Sequence, residues 1–178
     1  LLGQTTRVDA PHSAPHDTAD PAVAGRVGRA VDDLDQVVRD IRGTIFELRH
    51  TGGESLQAQV RSLVREYARF LGWAPVVRIE GPVDTAVRPE VAEHFVPVLR
   101  EALSNLSRHA EARAAWVRVA IDGGELVLEV SDDGVGPTEG ASHSGLRNAR
   151  GRAAGLGGTS ALTRREGGGS VFSWRVPV

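Results

Sequence analysis

Apolar residues in the first third of the chain recur at alternating steps of four and three: Val27, Val31, Leu34, Val38, Ile41, Ile45 and Leu48. That spacing is the a/d seam of a coiled coil or helical bundle and predicts a helix over 23–50. Arg29, Asp32, Asp33, Asp35, Arg39, Asp40 and Arg42 fill the polar positions between. A stripe of this kind needs a cover, either a second copy of the chain, which would make a homodimer, or a face of the following domain. Residues 1–22 contain the run DAPHSAPHDTADPA, whose prolines and small polar residues predict a loop or disordered segment. The paired glycines of HTGGES end the seam helix, and 51–55 reads as a linker.

From residue 56 the periodicity changes repeatedly. Leu56, Val60, Leu63, Val64, Tyr67 and Leu71 predict a helix ending near Gly72, and APVVRIEG a short strand. Pro89 suits a first helical turn, and Val91, Phe95, Val98, Leu99, Leu103 and Leu106 carry that helix to about Ala110. AAWVRVAID and ELVLEVSDDG alternate around Gly123-Gly124, a hairpin signature. GLRNARGRAAGL reads as a helix, and GTSALTRRE and SVFSWRVPV form a second hairpin around Gly167 to Gly169. The mixture predicts an α+β fold, a two-layer sandwich with helices on one face of a mostly antiparallel sheet, over 56–178.

Composition narrows the function classes. The chain has 178 residues and is 40% hydrophobic, enough to build a core. Its 21 basic residues, all arginine, are offset by 23 acidic ones, and a net charge of −2 argues against a nucleic-acid partner. With no cysteine there are no disulfides and no thiolate metal sites or nucleophiles, which is compatible with a reducing compartment. The absence of a long apolar run predicts no membrane contact and a soluble, cytoplasmic piece of a longer protein.

Within REALSNLSRHAEA, Glu101, Asn105 and His109 stand four apart and so form one polar column on a helix, with Arg108 beside it. A carboxylate can take a proton, an amide oxygen suits magnesium, and an imidazole or guanidinium suits phosphate; a plain solvent face would look the same. Asp132 in SDDGVG could accept a hydrogen bond from an exocyclic amine, with Gly134 and Gly136 leaving the backbone open to a ligand; a strand-ending turn is the alternative. Gly145 precedes a helix whose first amides could meet phosphate oxygens, or is a simple helix entry. Ser170, after GGG, offers a hydroxyl beside the base or ends another hairpin. His12 and His16 are at helical spacing, but Pro15 argues against a helical metal pair.

In order, these four stretches resemble the ATP-binding domain of the GHKL superfamily (the Bergerat fold), and within it the catalytic domain of bacterial sensor histidine kinases. The resemblance covers about residues 54 to 178. It implies ATP and Mg2+ as ligands, with Asn105 on the metal, Glu101 as general base, and Arg108 and His109 toward the phosphates. It further implies Asp132 on the adenine amine, with Gly134 and Gly136 beside it, Gly145 and Leu146 at the phosphates, and Ser170 where the family usually has threonine. PTEGASHS resembles a short ATP lid. The run AVDDLDQVVRDIRGTIFELRH resembles the second helix of the dimerisation and phosphotransfer hairpin, and IRGTIFELR is similar to actinobacterial heme-binding oxygen and redox sensor kinases of the dormancy-survival type.

The resemblance implies phosphoryl transfer to a histidine and then to a response-regulator aspartate. His16-Asp17-Thr18 imitates an acceptor, but Pro15 and Pro21 exclude a continuous helix there, so the acceptor is expected before Leu1. A chain of this kind should bind nucleotide without autophosphorylating. Two rivals stay open, a nucleotide-independent interaction module and an anti-sigma-factor type of serine kinase.

Overall fold

Ser55 caps the first described helix, α1 (Leu56–Leu71), by accepting the Ala58 amide, and Gly72 closes it in the left-handed region with its N–H on the Ala68 carbonyl. The computed structural model describes residues 54–137 and 144–178. The predicted loop over 1–22, the helix over 23–50, residues 51–53 and the 138–143 part of the lid-like run lie outside the described residues.

The remaining elements are β1 (Val76–Glu80), α2 (Val83–Ala86), α3 (Pro89–His109), β2 (Ala115–Asp122), β3 (Glu125–Asp132), α4 (Ser144–Gly155), β4 (Thr159–Arg164) and β5 (Ser170–Pro177). The short α2 escaped the sequence pattern; its Val83 is fully buried, and Asp84 accepts the Gln57 amide at the start of α1. Pro89 takes the first helical position of α3 as predicted, and the helix continues past Pro97. Gly123 and Gly124 both have positive φ and join β2 to β3, the geometry of a two-residue hairpin turn.

The strands form one five-stranded sheet in the order β1-β2-β3-β5-β4, with β1 and β2 parallel and every other pair antiparallel. Directly opposed residues share a face of a sheet. Leu128 opposes Trp174 and Val130 opposes Phe172. The Trp174 ring meets Phe95 of α3 edge to face at 6.1 Å, and its Nε1–H donates to the Ala149 carbonyl of α4 at 3.2 Å. That face therefore lies under the helices and holds the core. The other face carries Arg78, Arg118, Glu129 and Arg175, with Arg118 paired to Glu80 at 2.8 Å.

Behind α3, Tyr67 of α1 hydrogen-bonds Ser104, and burial pushes its phenol pKa up, with the charge of Arg100 opposing.

Candidate functional site

One end of the sheet gathers the ends of β3 and β4 with the starts of β2 and β5: Ala115 opposes Asp132, and Arg164 opposes Ser170. Side chains alternate along a strand, so Asp132, two beyond Val130, and Ser170, two before Phe172, continue the helix-covered face. Asp132 is 4% exposed. Its Oδ1 accepts the Gly134 amide at 2.8 Å and the Ser170 amide at 3.3 Å, and its Oδ2 accepts the Ser170 hydroxyl at 2.5 Å. The carboxylate is thus fixed in orientation while Oδ2 keeps lone-pair capacity for one more donor. A buried acceptor of this kind suits an amine on a flat ring.

The C-terminal end of α3 reaches the same place. The Val135 amide donates to the Ala110 carbonyl at 2.9 Å, and a Cβ on Gly134 would lie 1.8 Å from that oxygen. Asn105 stands five residues before Ala110, about 7.5 Å along the helix axis. Asn105 and Asp132 therefore lie on the same side of the sheet and toward the same end. Asn105 is half-buried, whereas Arg108 and His109 are exposed in the last turn. Glu101, one turn before Asn105, lies against the start of α4: a Cβ on the buried Gly145 would meet its Oε1 at 1.6 Å. Leu146 follows, half-buried, in the first turn of α4. The column on α3, the buried Asp132 carboxylate and the opening of α4 thus lie on the same side of the sheet, and Gly134, Gly136 and Gly145 all make room for protein atoms.

Three residues at this end carry no signal in the sequence. Asp133 accepts the Arg113 amide at 2.8 Å and the Ala114 amide at 2.9 Å, pinning the loop after α3 to the end of β3. These amides, Ala114 first, hold its carboxyl below the usual aspartate range. Arg164 donates to the carbonyls of Val135 and Pro137, each at 3.3 Å, and Gly136, between them, has a φ of 79°. Arg165 sits 4.6 Å over the Trp116 ring and reaches the Asp132 carbonyl at 3.5 Å. GTSALTRRE reads as an ordinary hairpin arm, and only the fold shows which residues its arginines meet.

The family model for the histidine kinase-, DNA gyrase B-, and HSP90-like ATPase matches residues 90–178, from the first turn of α3 to the last residue. The chain belongs to this ATPase family. Among the relatives of this ATPase domain is the sensor histidine kinase NarS of Mycobacterium tuberculosis, 34% identical over 140 residues, which span 75% of this chain and 32% of NarS. The sensor histidine kinase LiaS of Bacillus subtilis is 28% identical over 155 residues, 85% of this chain and 41% of LiaS. The chain thus spans well under half the length of these curated relatives. Among solved structures, the histidine kinase domain of the blue-light activated histidine kinase of Erythrobacter litoralis EL346 is 26% identical with a TM-score of 0.56, covering 69% of this chain and 61% of that one. The expected GHKL sandwich is therefore the observed fold, and the domain is the histidine kinase branch of the ATPase family. None of the described helices is long and apolar enough to cross a membrane.

Proposed function

We propose that this domain is the ATP-binding catalytic core of a two-component sensor histidine kinase, which delivers the γ-phosphoryl group of ATP to a histidine, from which it passes to a response-regulator aspartate. The observation that supports the reading is that the buried Asp132 carboxylate and the Glu101–Asn105 stretch of α3 lie on one side of the sheet, linked through the Gly134 turn at the end of α3. Asp132 accepts the adenine amine, held for it by the Ser170 hydroxyl, with Gly134 and Gly136 shaping the turn alongside. Gly145 and Leu146 bring the amides at the start of α4 toward the phosphates, where a helix N-terminus favours negative charge. Arg108 and His109 supply positive charge from the end of α3.

The donor set fits magnesium held mainly by its ligands. Among the described residues no group of three His, Cys, Asp or Glu could form an all-protein cage, and magnesium commonly keeps water and phosphate oxygens with one or two protein ligands. Asn105 would be that ligand, and a cation there would neutralise charge on the phosphates. Glu101, lying along Gly145, would take the proton of the attacking imidazole as the new P–N bond forms and ADP leaves.

The heptad spacing over 23–50 supports pairing of two copies through that segment in a longer protein, with the kinase working in the cytoplasm beside its response regulator. The run IRGTIFELR supports a narrower kinship with heme-binding sensor kinases of the dormancy-survival type. Because prolines flank His16, the acceptor is supplied from elsewhere, and this chain binds nucleotide without phosphorylating itself. The test mixes the chain, Mg-ATP and an ATP-site-deficient relative that carries the acceptor histidine. Transfer of an acid-labile, base-stable phosphate is the expected result. Acid-stable phosphate would point to a serine kinase, and binding without any transfer would contradict the kinase reading.

A further inference from the structure

The turn that follows Asp132 is held from both faces of the sheet by two consecutive arginines. Arg164 opposes Ser170, so it stands on the helix-covered face, and its fork spans the Val135 and Pro137 carbonyls at 3.3 Å each. Its guanidinium leaves no room above Gly136, where a Cβ would come within 2.8 Å of Nη1 and of the Gly169 carbonyl. Arg165 emerges on the opposite face, stacked over Trp116 and reaching the Asp132 carbonyl. Both arginines donate to main-chain oxygens, and the charge of Arg165 also acts on the neighbouring Asp133 carboxylate. The turn they hold presents the Gly134 amide that orients Asp132 Oδ1.

We infer that Arg164, backed by Arg165, is a positioning residue for base recognition: its fork across Val135 and Pro137 fixes the turn whose Gly134 amide aims the Asp132 carboxylate at the exocyclic amine of the purine. The inference rests on the nucleotide reading above. A planar fork binds two carbonyls at once, which an ammonium on a flexible stem does not reproduce. Loss of the fork therefore loosens the aim of the carboxylate without removing it. The consequence falls on selectivity between purines, since ATP carries the amine that Asp132 accepts and ITP carries a carbonyl oxygen in its place.

The experiment titrates Mg-ATP and Mg-ITP into the full chain and into its Arg164→Ala and Arg164→Lys variants, with melting temperatures recorded alongside. The parent should prefer ATP, and both variants should lose about fivefold to tenfold of that preference, equivalent to roughly 1 to 1.4 kcal/mol. A purely structural role would lower the folded fraction and leave the ratio of the two affinities unchanged. Hydrogen exchange at the Val135 amide, measured without nucleotide, should quicken in both variants. An unchanged ATP-to-ITP ratio, or full recovery by lysine, overturns the positioning role. A parent chain that binds neither nucleotide overturns the nucleotide reading itself, and unchanged exchange at Val135 then overturns the clamp independently.

Discussion

At Asp133 a solvent-exposed carboxylate organises backbone on two elements through the amides of Arg113 and Ala114. Its folded pKa is depressed, so the ionised form stabilises the fold above the unfolded aspartate pKa, and this contribution is lost as pH falls through the folded value. Asp133→Asn should therefore melt below the parent at neutral pH, with the gap closing as the pH drops below the ordinary aspartate range; a gap that stays constant with pH would contradict the linkage. Gly134 makes a sharper prediction. With Ala110 O where its Cβ would go, Gly134→Ala should cost about 2 kcal/mol of stability. Gly151→Ala, exposed in the interior of α4 with open space around it, should be neutral or stabilising by about 0.5–1 kcal/mol. Denaturant melts of the two variants check the contrast. At this scale the sequence named Asp132, Gly134 and Ser170, because acid and glycine at a strand end are a visible pattern. Asp133, Arg164 and Arg165 were not legible, because they act on main-chain groups brought near by topology, and composition does not reveal such partners.

The elements were far easier to read. Amphipathic spacing marked α1 and α3, and apolar alternation around a glycine pair and a glycine triplet marked the two hairpins, because a half-buried surface forces those periods. The boundaries moved by a residue or two, as at β1, where APVVRIEG contracts to Val76–Glu80. The parallel pairing of β1 with β2 and the placement of β5 between β3 and β4 were beyond pattern reading, since several strand orders bury the same apolar residues. Trp174, fully buried and bonded to the α4 backbone, is one of the side chains that join the helical layer to the sheet. Trp174→Ala should cost about 3–5 kcal/mol by cavity formation and the loss of its contacts with Phe95. Calorimetric unfolding would show a melting point lowered by many degrees; a drop like that of a surface variant would mean the two layers are held together elsewhere.

For the whole molecule, the residues proposed to recognise a base and those proposed to hold a metal and phosphates come from distant parts of the chain. Asp132 and Ser170 belong to strands, Glu101 and Asn105 to α3, Gly145 to α4. The proposed function rests on their lying on one side of the sheet, which depends on β3 and β5 pairing in the observed register, since a one-residue slip would turn Asp132 or Ser170 to the opposite face. A ligand that binds only the folded state stabilises it in proportion to the logarithm of its concentration over Kd, so Mg-ATP at a hundred times Kd should add roughly 2.7 kcal/mol. The most direct test is therefore calorimetric titration of Mg-ATP into the chain and into Asp132→Ala. The account predicts saturable one-to-one binding by the parent and a loss of about tenfold or more in the variant, with the fold retained. Equal affinities in the two, or no binding by the parent, would contradict it.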